Sequence, residues 1–138
     1  MITFRIDRRS GTAVYAQLGL QVRQALMTGR LVPGDRLPTA REVAERNGIN
    51  PNTVLRAYRD LEVAGLVQTR QGSGTFVRQA LPRPPVDVSG LRRELADWVV
   101  RARTAGLDTS DIQLLVADVA ADVAADVSAN VEAVHAGR

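Results

Sequence analysis

The side chains of this chain that can do chemistry are amides, hydroxyls and guanidinium groups, and they gather in one stretch. Residues 47–65 read NGINPNTVLRAYRDLEVAG, which sets Asn50, Asn52 and Thr53 around Pro51 and puts Arg56 one turn further on. Such groups exchange hydrogen bonds with a partner and do not break covalent bonds. The residues that usually do are missing: there is no cysteine, hence no thiol nucleophile, no disulfide framework and no Cys-based zinc site. The one histidine, His135, lies in a polar tail where it is expected to be inert, and no Ser-His arrangement is evident. Neither an enzyme activity nor a cofactor or metal is expected.

Charge says what kind of partner the amides and guanidiniums would meet. Residues 1–80 hold 12 arginines against 6 Asp/Glu, and residues 81–138 hold 6 against 9, so the net +3 divides into +6 and −3. Every basic side chain is arginine, whose planar fork suits phosphate oxygens and guanine edges. A preference for arginine codons explains the missing lysines but not the split between halves. A polyanion is therefore expected to bind the first half. No apolar run approaches the roughly 18 residues that cross a bilayer, and MITFRIDRR lacks the apolar core of a signal peptide, so a soluble, cytoplasmic chain without a membrane partner is expected.

The elements that must position these residues are legible in order. Ile2, Phe4 and Ile6 alternate, which fits a short edge strand or an arm. From about Thr12 to Thr28, Val14, Leu18, Val22 and Leu26 recur at steps of four with Tyr15 and Ala25 beside them, a buried helical stripe that Gly29 ends. GRLVPGDRLP reads as turn. Thr39 to Glu42 spells a capping box for a short second helix that ends at Gly48, and Asn50 with Pro51 opens a third. In that third helix Val54, Ala57, Tyr58 and Leu61 face a core, Asn52, Arg56 and Arg59 oppose them, and Gly65 is the stop. LVQTR and TFVR around QGSG read as a hairpin. The fold class expected is mainly α with a small β-hairpin: a winged helix-turn-helix over residues 1–78, then a Pro-rich linker over 79–89.

The stretch PGDRLPTAREVAERNGINPNTVLRAYRDLEVAGLVQTRQGSGTFV resembles the winged helix-turn-helix domain of the GntR family of bacterial transcription regulators, and its NPNT opening resembles the YtrA-type branch. The resemblance covers roughly residues 12–78. It implies DNA contacts from Arg41, from the start of the third helix and from the wing tip around Gln71 and Gly72. A helix entering the major groove offers its first turn to the bases, which suits Asn50, Asn52 and Thr53; Arg36, Thr39, Arg56, Arg70 and Ser73 complete the candidate DNA-binding set. Many relatives carry arginines where Pro51 and Leu55 stand here, so base preference does not transfer.

Residues 90–138 are too few for the larger ligand-binding domains of other branches. They read as a two-helix dimerisation module with an Ala/Asp/Val-rich tail. Ser89 is expected to cap the first helix and Thr109 or Ser110 the second, with Asp111 in its first turn. Leu91, Leu95, Trp98, Val99, Ile112, Leu115 and Val116 are the candidate dimerisation residues, because two helices cannot bury them alone. In ADVAADVAADVSANVEAV, Asp118, Asp122 and Asp126 fall on one stripe and Val119, Val123, Val127 and Val131 on the next, and a repeat of four winds such stripes around a long helix. A homodimeric repressor on an inverted-repeat operator is the expected function, its effector unknown. A protein-interaction adaptor that uses the winged helix without sequence-specific DNA binding is the alternative.

Overall fold

A computed structural model describes residues 1–136. Along the chain run α1 (Val14–Met27), α2 (Ala40–Asn47), α3 (Pro51–Val63), β1 (Val67–Arg70), β2 (Gly74–Val77), α4 (Ser89–Thr104) and α5 (Thr109–Ala136). They divide into two units, Met1–Val88 and the described residues from Ser89 onward.

In the first unit the stripes inferred from periodicity form the core. Leu18, Val22 and Ala25 of α1 meet Val54, Ala57, Tyr58 and Leu61 of α3, and Leu37, Val43, Val67 and Val77 close the sides. Helix α1 ends with Gly29 at φ +75, and α2 ends with Gly48 at φ +62, a left-handed conformation that glycine adopts without a Cβ clash. The wing is an antiparallel pair with Val67 opposite Val77 and Arg70 opposite Gly74.

Of the two readings open for the first residues, strand or arm, the structure has the arm, and α1 supplies the pairing that a strand would have given. The Gln21 amide exchanges hydrogen bonds with the backbone of Arg5 (2.9 and 2.6 Å), and the Gln17 amide does the same with Asp7 (2.9 Å both ways). Gln17 and Gln21 lie one turn apart and Arg5 and Asp7 two residues apart, so helix and extended spacings match here. The segment before α2, read as turn alone, lies along the wing: Arg36 forms a β-bridge with Phe76, and Leu37 N–H donates to the Thr75 carbonyl at 2.8 Å.

In the second unit, α4 begins at Ser89 itself. The cap of α5 is Asp108, neither Thr109 nor Ser110. Asp108 N–H donates to the Asp111 carboxylate at 3.0 Å and Asp111 N–H to the Asp108 carboxylate at 2.8 Å, a reciprocal box made by two aspartates. The Thr109 hydroxyl accepts instead from the Arg103 guanidinium at 2.6 Å. Ile112 is buried within the single chain, whereas Leu91 and Leu95 are exposed, Trp98 and Val99 are half-buried, and Leu115 and Val116 are exposed. The tail is helical to Ala136, with its valines about half exposed.

One buried hydrogen bond sets the rotation of α3. The Tyr58 hydroxyl donates to the Pro38 carbonyl at 2.6 Å, and burial, with the Glu42 carboxylate adding, raises its pKa well above the ordinary 10.0. The neutral phenol is thus favoured in the fold. Its contribution to stability is fully present below pH 10 and is lost as rising pH ionises the unfolded chain first. Tyr58→Phe leaves the Pro38 carbonyl unpaired and is expected to lower stability by about 1–2 kcal/mol at neutral pH. Its denaturation midpoint should also fall less steeply above pH 10 than that of the wild type.

Candidate nucleic-acid interface

The surface that carries the sequence candidates is built around the two helix starts and the wing. At α2 the capping box is complete: Glu42 N–H donates to the Thr39 hydroxyl at 3.1 Å and Thr39 N–H to the Glu42 carboxylate at 3.3 Å. Thr39 is therefore half-buried and engaged in its helix. Arg41, next in the first turn, is exposed and paired with Glu45 at 3.1 Å, four residues on. An ion pair so open to water is worth at most a few tenths of a kcal/mol. It holds Arg41 only loosely.

At α3 the Asn50 side-chain oxygen accepts from Asn52 N–H at 2.8 Å, and Pro51 occupies the first helical position where no N–H is needed. Asn52 and Arg56 are exposed and four apart, on the face opposite the buried stripe, while Thr53 is half-buried. The guanidinium carbon of Arg56 lies 3.7 Å from the centroid of the Tyr15 ring on α1. Arg59 is exposed a turn further along.

In the wing, Arg70, Gln71, Gly72 and Ser73 are all exposed. Ser73 N–H donates to the Arg70 carbonyl at 3.0 Å, and Gly72 sits at the third turn position with φ +78, where a side chain would be strained. Arg70 lies over the Phe76 ring at 4.7 Å. Arg36 passes so close to Gly74 that a Cβ there would stand 3.0 Å from its Nε, which puts Arg36 at the base of the wing. Among the described residues no group of His, Cys, Asp or Glu could hold a metal ion, and no helix is long and apolar enough to cross a membrane.

Two residues of this surface make contacts that have no signature in the sequence. Arg8 donates to the Asn47 and Gly48 carbonyls at 2.8 and 3.2 Å, which ties the arm to the turn that joins α2 to α3. Tyr15 is legible only as a member of the α1 stripe, because its stack on Arg56 spans 41 residues of chain.

The winged helix-turn-helix defines the class, and the comparisons agree with it. The model of the family described as "Bacterial regulatory proteins, gntR family" matches residues 14–77. The chain is 32% identical to the HTH-type transcriptional repressor YtrA of Bacillus subtilis over 84% of its own length and 91% of the relative's. It is 39% identical to an HTH-type transcriptional regulator of Mycobacterium tuberculosis over 78% of its length and 85% of the relative's. The structure of YtrA from Sulfolobus acidocaldarius, a GntR-family transcription factor, superposes with a TM-score of 0.52 at 28% identity, covering 87% of this chain and 98% of that one. The chain belongs to the GntR family of bacterial regulatory proteins, DNA-binding transcription regulators built on a winged helix-turn-helix.

The cap geometry is open to a direct check. Asn50→Ala should cost about 1 kcal/mol in chemical denaturation, and Asn50→Asp, which keeps an acceptor for Asn52 N–H, should restore most of it.

Proposed function

We propose that this chain is a homodimeric repressor that binds an inverted-repeat operator, its third helix in the major groove and its wing along the backbone. The observation that carries the reading is the start of α3. Asn50, Asn52 and Arg56 are exposed on a helix whose opposite face is wholly buried, so a rigid element presents groups that read bases and phosphates. Asn52 and Thr53 are assigned to base edges, together with Asn50. Arg36, Thr39, Arg41, Arg56, Arg70 and the wing tip Gln71, Gly72 and Ser73 are assigned to the backbone and the flanking groove. The relatives named as repressors support the regulatory sign.

Dimerisation is assigned to the second unit, where Leu91, Leu95, Leu115 and Val116 are exposed in the single chain. Two copies related by a two-fold axis would set two third helices in successive major grooves, which is why the operator should be an inverted repeat.

Selection of bound sequences from random duplex DNA at near-physiological salt, with molecular mass measured in parallel, tests the reading. An enriched inverted repeat bound by a dimer is the expected result; a monomer, or no enriched sequence, would overturn it. On the selected site, Arg41→Ala should weaken binding to cognate and random DNA alike and reduce the slope of log affinity against log salt by about 1. Asn52→Ala should instead relax preference at one base pair per half-site, with a loss of about 1–3 kcal/mol confined to the cognate sequence. Leu95→Glu should yield a monomer by mass with unchanged helix content and weakened operator binding.

A further inference from the structure

We propose that Tyr15 is a positioning residue for DNA-backbone binding: its ring holds the Arg56 guanidinium in a fixed stack, with its edge turned outward for a phosphate of the bound duplex. The proposal rests on the reading of α3 given above and names a part of the machinery outside the helix-turn-helix itself.

The geometry differs from that of the other arginines on this surface. Arg41 has a carboxylate partner that a phosphate must displace, and Arg70 stands 4.7 Å from its ring. Arg56 stands 3.7 Å over Tyr15, and among the described residues it takes part in no ion pair. At 3.7 Å from Cζ to the centroid there is no room for an N–H group between them, so the ring meets the face of the guanidinium. The N–H donors lie in the guanidinium plane and stay available for a bidentate phosphate contact. The neutral ring therefore orients the cation without competing for it, whereas a carboxylate would orient and neutralise together.

The ring is itself held. Tyr15 lies in the first turn of α1, half-buried beside the core cluster and three residues before the fully buried Leu18. Arg56 shares its face with Asn52, one turn earlier. A base contact at Asn52 would thus bring the backbone flanking that base toward Arg56. Freezing a long side chain before binding removes an ordering cost from association, worth roughly three- to tenfold in affinity per half-site.

The test uses the full chain and the duplex it selects from random DNA, titrated by fluorescence anisotropy, with helix content and melting temperature measured for each variant. Tyr15→Leu should bind that duplex roughly three- to tenfold more weakly per half-site. Tyr15→Phe, which keeps the ring, should bind as the wild type does. Arg56→Ala should bind more weakly still, and Tyr15→Leu added to Arg56→Ala should cause no further loss. That non-additivity is the signature of one residue acting through the other, because a merely structural Tyr15 would weaken the double variant again. Losses that multiply, a Tyr15→Phe as weak as Tyr15→Leu, or a Tyr15→Leu that melts earlier yet binds normally would each overturn the proposal. Arg41→Ala is the control. Should it and Arg56→Ala both bind as the wild type does, the reading of the DNA face fails and the role of Tyr15 with it; should Arg41→Ala alone lose affinity, only the stack is refuted.

Discussion

Helix α3 must be gripped on one side and bare on the other, and the side that is gripped decides everything about the side that is not. Val54, Ala57, Tyr58 and Leu61 are each at most 5% exposed, and the Tyr58 hydroxyl is bonded to the Pro38 carbonyl. A rotation of α3 by one residue turns it by about 100°, which would break that bond and carry Asn52 and Arg56 off the open face. The same contact reaches the residue before the α2 cap, so the starts of both helices are set by one buried phenol. Glu62 extends the grip to the wing, since its carboxylate accepts from the Thr69 hydroxyl at 3.1 Å.

Around this fixed helix, polar side chains carry out tasks that backbone pairing performs elsewhere. The amides of Gln17 and Gln21 complete the hydrogen bonding of the arm, and Arg8 satisfies two carbonyls left over at the end of α2. No buried side-chain nitrogen or oxygen among the described residues is without a partner, although the unit has long irregular stretches. The arm is thereby tied through Arg8 to the turn before α3, at the start of the candidate interface.

The local features were legible in the sequence because each is set within a few residues: the Thr39–Glu42 box, the Asn50–Pro51 start, the glycine stops at 29 and 48, and the two apolar stripes. What was illegible spans longer distances or hangs on a competition between equals. Gln17 interrupts an apolar stripe, and nothing local says that its amide meets Asp7 ten residues away. At the start of α5, Asp108, Thr109 and Ser110 are all competent caps; Asp108 takes the role because Asp111 stands three residues on to return the bond, and Thr109 is drawn off by Arg103. Arg36 reads as part of a turn because a single β-bridge leaves no alternation to detect. On α3 the open face that carries Asn52 and Arg56 could be anticipated from helix phase alone, whereas the stack on Tyr15 requires two helices to be already packed.

The cap at Asn50 also gives that side chain a polarity. Its oxygen is turned back to the Asn52 N–H, so the half that remains outward is the amine. On the proposed reading, an asparagine in that state would meet a base edge as a donor, and the atoms it would complement are acceptors: N7 of a purine, O6 of guanine, O4 of thymine. The two-point grip on adenine, which needs an oxygen and an amide N–H side by side, would then fall to Asn52, whose side chain its own helix leaves uncommitted among the described residues. Two asparagines separated by one proline are thus chemically unlike, and the asymmetry arises from the hydrogen bond that begins the helix.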